Sequence, residues 1–111
     1  MNDKSVFSRI YDGEIPSEII HENDHFFVIK DINPKATTHL LIITKEPITD
    51  IHEFTANSPA AEALVKTIQE VGEMLEKPEY RIQINCGASE GQEVFHLHIH
   101  LLSKSKLKSI A

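Results

Sequence analysis

Gly91-Gln92-Glu93-Val94-Phe95-His96-Leu97-His98-Ile99-His100-Leu101-Leu102 is the stretch from which the rest of the chain is read. Three of the seven histidines stand here at alternate positions, interleaved with Leu97, Ile99 and Leu101. Strict alternation is the period of a strand, so the imidazoles are predicted to line one face and the aliphatic side chains the other. A helix would turn positions i and i+2 to different sides. One face therefore feeds a core, and the other carries titratable rings on a rigid support. A lone histidine on a half-buried sheet is ordinarily structural and satisfied by hydrogen bonds. Three in a row crowd ionisable groups at a cost in stability, which points to use. His-x-His on a strand is also a common zinc pair. With a rise of ~3.3 Å per residue, however, His96 and His100 stand roughly 13 Å apart along the strand. Zinc holds its nitrogens at ~2.1 Å, so one ion would take two neighbours and need a ligand from elsewhere. No metal and no cofactor are expected.

Working outward, the 111 residues make one domain, 1–111, long enough to bury a single core. Hydrophobic content of 41% and charged content of 25% place it among ordinary globular chains. The net charge of −6, with no basic block, argues against a nucleic-acid backbone as partner. A phosphate can still be bound locally by backbone N–H groups and imidazoles. The one cysteine, Cys86, cannot form an internal disulfide and reads as a buried thiol. No apolar leader or membrane span is visible, so no membrane partner is expected and the cytoplasm is the expected location.

The flanking segments supply the remaining elements. Apolar positions 6, 7, 10 and 11 predict a short amphipathic helix. Residues 18–21 and 26–30 read as two strands joined by the polar turn Glu22-Asn23-Asp24, with His21 and His25 as solvated surface residues. Asp31-Ile32-Asn33-Pro34-Lys35 breaks the second strand, and residues 37–44 form the next. A connector over 45–59, with an exposed His52, leads to Ser58-Pro59, a helix N-cap and first-turn proline. Apolar spacing from Ala61 to Leu75 predicts a long helix ended by Pro78, with Gly72 inside it marking a close contact. Residues 80–85 alternate as a strand, and 85–91, with two glycines, form a loop that a ligand can approach closely. The lysine-rich end of the chain, about 103–111, reads as a loose tail.

Two segments together resemble the histidine triad (HIT) superfamily: His96-Leu97-His98-Ile99-His100-Leu101-Leu102 and Asp31-Ile32-Asn33-Pro34-Lys35-Ala36-Thr37-Thr38-His39. The preceding Gly91-Gln92-Glu93-Val94-Phe95 looks like its HINT branch, the small nucleoside phosphoramidate hydrolases. The resemblance runs from about Val6 to Leu102. It implies an α+β fold, a five-stranded antiparallel sheet with one long and one short helix, and two such sheets joined into ten strands across a homodimer. It also implies hydrolysis of purine nucleoside 5′-phosphoramidates, adenylated lysine among them, to a nucleoside monophosphate and an amine. His98 would be the nucleophile and His100 would contact the α-phosphate and leaving group, while His96 and His39 orient the network and relay protons. Asp31 would hold the ribose, Ile32 would line the base pocket, and Asn85 would touch the ribose-phosphate. Phe7, Glu93 and Val94 would complete the nucleotide site. Ser103-Lys104 stand where relatives often have Gly-Gly, and Glu93 stands where eukaryotic relatives often have Ser. Hydrolysis of dinucleoside polyphosphates, or nucleotide binding as a non-enzymatic regulatory partner, are the competing readings.

Overall fold

The computed structural model describes residues 4–54 and 58–109. Five strands form one antiparallel sheet in the order β1-β2-β3-β5-β4: β1 (His21–Glu22), β2 (Phe26–Lys30), β3 (Thr38–Thr44), β4 (Arg81–Gln83) and β5 (His98–Ser103). Two helices accompany it, α1 (Val6–Tyr11) and α2 (Pro59–Gly72). The α+β architecture read from the sequence is the one observed. Apolar β3 and histidine-bearing β5 lie side by side at the centre, with Leu41 opposite His100 and Ile43 opposite His98. That register puts His39, Leu41 and Ile43 on the imidazole face and Leu40 and Ile42 on the other.

The side-chain period of two gives the sheet two different faces. Phe26, Val28, Leu40, Ile42, Leu97, Ile99 and Leu101 form the larger core, closed by Val71 and Leu75 from the α2 side. Phe27, Ile29, Leu41 and Ile43 form a smaller cluster closed by Phe7 of α1. Helix α2 starts where the sequence placed it, since the Ser58 hydroxyl accepts the Ala61 N–H at 3.1 Å and Pro59 follows. It stops earlier than predicted, at Gly72 rather than near Pro78. A Cβ at Gly72 would stand 2.6 Å from the Tyr80 ring, so the expected close contact exists, at the end of the helix rather than inside it.

Three expectations are corrected. The tail is not loose as far as residue 109. Ser103 belongs to β5, the Glu76 and Lys108 amides donate to Lys106 and Met74 carbonyls at 2.8 Å, and Leu107 packs on the larger core. One leucine among lysines and serines carries enough apolar area to dock the segment; residues 110–111 lie outside the described residues, as do 55–57 of the connector and 1–3. His21 is half-buried rather than solvated, with Nε2 3.1 Å from the Glu70 carboxylate on α2, and His25 is half-buried as well; His52 is exposed as expected. The Cys86 thiol is half-buried rather than buried.

Candidate active site

Strand β5 begins at His98, one turn of chain later than the alternation suggested, so His96 lies in the bend that leads into it. The three rings consequently differ in environment. His96 is 1% exposed, while His98 and His100 are half-buried. Phe7 of α1 stands edge-on to His98 at 4.9 Å and to His96 at 5.8 Å between ring centroids. His98 and His100 stand 5.1 Å apart. The neighbouring strand adds His39, 6% exposed, whose Nε2 lies 2.9 Å from His100 Nδ1.

Hydrogen-bond partners settle which nitrogen of each ring carries a proton, because a carbonyl only accepts and an amide N–H only donates. His98 Nδ1 lies 2.7 Å from the His96 carbonyl oxygen and therefore donates to it. The neutral ring then leaves its Nε2 lone pair unprotonated. His96 Nε2 donates to the Thr44 carbonyl at 2.7 Å, so its Nδ1 is an acceptor. His39 Nδ1 accepts the Lys35 amide N–H at 3.0 Å, which puts the His39 hydrogen on Nε2, facing His100 Nδ1. His100, accepting at Nδ1, carries its own hydrogen on Nε2. The result is one basic imidazole nitrogen on His98 beside one N–H donor on His100.

Burial keeps the supporting rings neutral. Desolvation pushes the His100 pKa down to about 4, with the neighbouring His98 and His39 adding to the fall and Asp31 opposing it. Burial likewise lowers His39, against the pull of Asp31, and lowers His96, against the hydrogen bond to Thr44. All three shifts disfavour the imidazolium form near pH 7.

Asp31 lies beside His39, with Oδ2 3.4 Å from His39 Nε2 and Oδ1 accepting the Asn33 N–H at 2.8 Å. Ile32, beside it, is 91% exposed, an apolar side chain with nothing laid over it. Val94 packs on the Phe7 cluster, and Glu93 is exposed in a cleft shared with Ser5, Thr49 and His96. Asn85 follows β4, whose Gln83 pairs with His100. Its side chain donates to the Glu90 carbonyl at 2.7 Å and accepts from Gln83, closing the loop 85–91. Gly91, at φ 90, bends that loop where a Cβ would press on Asn85 at 3.2 Å.

Asp31, His39 and His100 bring three donor atoms within 4.8 Å of one another, a set absent from the triad alone. The polarity of His39 does not suit a resident ion. A ligating imidazole donates its second nitrogen's hydrogen to an acceptor, whereas here that nitrogen faces the Lys35 N–H.

Several positioning groups carried no signal in the sequence. Gln92, 3% exposed, accepts the Gly87 N–H and donates to the Thr49 and Val94 carbonyls, pinning the loop to the approach to His96. The Thr44 carbonyl and Lys35 amide are backbone atoms, invisible to any motif. Ser5 did offer one, a serine just before an apolar helical turn, which is the mark of an N-cap.

Sheet, short helix and clustered imidazoles together define a small α+β protein with four histidines gathered on one sheet face. Comparison with known proteins agrees with this class. The HIT domain family matches residues 12–107. A HIT-like protein of Chlamydia pneumoniae is 44% identical over 109 residues, covering 96% of this chain and 99% of its own. A HIT-like protein of Azospirillum brasilense is 42% identical over 107 residues, covering 93% and 88%. Among solved structures, a HIT family hydrolase from Clostridium thermocellum superposes with a TM-score of 0.83 at 40% identity, covering 93% of this chain and 92% of that one. The chain belongs to the HIT family. Among the described residues no helix is long and apolar enough to cross a membrane.

Proposed function

We propose that this protein is a hydrolase of the HINT branch that cleaves the P–N bond of purine nucleoside 5′-phosphoramidates, adenylated lysine among them. The observation that carries the reading is the His98 tautomer: Nδ1 donates to the His96 carbonyl, which leaves Nε2 free to attack phosphorus. As the Nε2–P bond forms, the P–N bond breaks and the leaving nitrogen takes one proton, departing as an amine. His100 supplies that proton. His100 gives its Nε2 hydrogen to the leaving nitrogen, and a solvent proton, drawn into the site by the negative charge of the bound phosphoryl group, restores that hydrogen on Nε2. Water then attacks phosphorus, the P–Nε2 bond breaks, one water proton returns to the site, and a nucleoside monophosphate leaves. His39 and His96 hold the rings in register. In this reading Asp31 holds the ribose, Ile32 lines the base pocket, Asn85 touches the ribose-phosphate, and Phe7, Glu93 and Val94 complete the nucleotide site.

The active form in this reading is a homodimer in the cytoplasm. Supporting it, β4 is a three-residue edge strand, and Ile82 on it and Val65 on α2 are exposed apolar residues. Light scattering at micromolar concentration should give twice 12.6 kDa, and the monomer mass would refute the dimer. Rapid quenching with a radiolabelled adenosine phosphoramidate should trap an acid-labile adduct on His98. An adduct on another residue would overturn the mechanism. Preferential turnover of dinucleoside polyphosphates in competition would overturn the substrate class, and AMP binding without release of amine would favour a binding module.

A further inference from the structure

The N-terminal helix reaches the His96 ring through two hydroxyls, Ser5 close and Ser8 at the longer distance of 3.5 Å. Ser5 is the N-cap of α1, and its Oγ accepts the Ser8 N–H at 3.0 Å. The same oxygen stands 2.5 Å from His96 Nδ1. Because His96 Nε2 is committed as a donor to Thr44, Nδ1 can only accept in the neutral ring, and Ser5 must donate. The alternative acceptor for that hydrogen, Ser8 Oγ, is far longer at 3.4 Å. One serine therefore uses a lone pair to start the helix and its proton to hold His96. Both ends of the His96 ring are then fixed, and its own carbonyl holds His98 Nδ1.

We infer that Ser5 is a positioning residue for the reaction: its hydroxyl proton holds His96, and through the His96 carbonyl it aims His98 at phosphorus. The cap function alone would be met by any side chain with an acceptor, and Asp is as good a cap as Ser. The positioning function needs a donor, which an ionised Asp lacks. That difference separates the two roles. The geometry joins two further facts to the argument. His96 lies outside the sheet ladder, so no strand hydrogen bond fixes its ring, and Phe7, the residue that packs against both His96 and His98, is two positions from Ser5 on the same helix.

The kinetic half of the test rests on the hydrolase reading, and the spectroscopic half does not. Ser5→Ala, Ser5→Asp and Ser5→Thr should be compared with the wild-type full chain, by turnover of an adenosine phosphoramidate and by imidazole 15N chemical shifts. Ser5→Thr keeps cap and donor and should stay within about threefold of wild type in kcat. Ser5→Ala and Ser5→Asp should each lose about 10- to 100-fold in kcat with KM little changed, the scale on which small misplacements act. In Ser5→Asp the His96 ring should become protonated at a higher pH than in wild type, because a carboxylate now faces Nδ1. Thermal melts report the cap, and Ser5→Asp should melt near wild type while remaining slow. Wild-type kcat in Ser5→Asp, or unaltered His96 and His98 resonances in Ser5→Ala, would reduce Ser5 to a helix cap and overturn the proposal. If the wild type itself fails to turn over the phosphoramidate, the substrate reading falls, and the 15N shifts of the Ala and Asp variants still decide the tether.

Discussion

The two faces of β5 are made by alternate residues of one strand, yet they do opposite things. Leu97, Ile99 and Leu101 lie under α2, a helix of 14 residues, and are at most 1% exposed. His98 lies against Phe7 of α1, a helix of 6 residues, His100 against His39 and His98, and both remain half-buried. At ~1.5 Å per residue the longer helix spans ~21 Å and the shorter ~9 Å, so one covers its face and the other leaves part of it reachable. The difference teaches that strand composition sets which face is apolar, while helix length goes with how completely each face is covered. A long cover gives full desolvation and stability. A short cover gives enough burial to keep His100 neutral and enough opening to admit a ligand.

The strongest way to break the comparison is to empty the site face. His98→Ala should fold normally, retain AMP within about tenfold, a change of about 1.4 kcal/mol, and lose at least ~1000-fold in kcat, since the covalent route is gone. His96→Ala and His100→Ala should lose less. Near wild-type turnover in His98→Ala would remove it as nucleophile.

The same truncation on the other face should act on stability alone. Leu101→Ala deletes a fully buried side chain and should cost about 2–5 kcal/mol in urea unfolding, with the kcat of the folded fraction unchanged. A large loss of kcat at unaltered stability would mean that the faces are not separable.

Acid sharpens the contrast further, because the site face carries the buried imidazoles whose pKa values are lowered. His100 is held at about 4, so the unfolded chain binds a proton as pH falls below about 6.5 while the folded chain refuses it. Stability contributed by this ring is therefore greatest above pH 6.5 and declines as pH falls towards 4, by roughly 3 kcal/mol, after which it is level. The lowered His39 and His96 act with the same sign. Urea midpoints measured from pH 7.5 to 4 should fall more steeply for wild type than for His100→Gln. Parallel curves would refute the burial argument.

The smallest effect is expected where α2 meets β4. A helix gains about 1 kcal/mol when Gly becomes Ala, but Gly72→Ala drives a methyl into Tyr80 at 2.6 Å. The clash should win, leaving a net loss of about 1 kcal/mol. In a Tyr80→Ala background the same change should become neutral or stabilising; a loss undiminished there would place the strain elsewhere.

Much of this was legible in the chain because short-range rules govern it. Alternation at 96–102 located the two faces, although β5 itself begins at His98, and Ser58-Pro59 located the start of α2. Errors came where a distant contact overrode a local signal. Leu107 packs a segment that composition marks as loose onto the larger core, and His21 faces Glu70 of α2 rather than solvent.

The sequence by itself determined which side chains share a face, since the period of two is a property of the backbone. Only the tertiary structure decided which nitrogen of each imidazole is free. That depends on Thr44 and His96 carbonyls, the Lys35 amide and the Ser5 hydroxyl, groups 2 to 91 positions from the rings they orient. A ring's tautomer is set by whatever donor or acceptor folding brings within ~3 Å of it, and no local pattern in the chain encodes that partner.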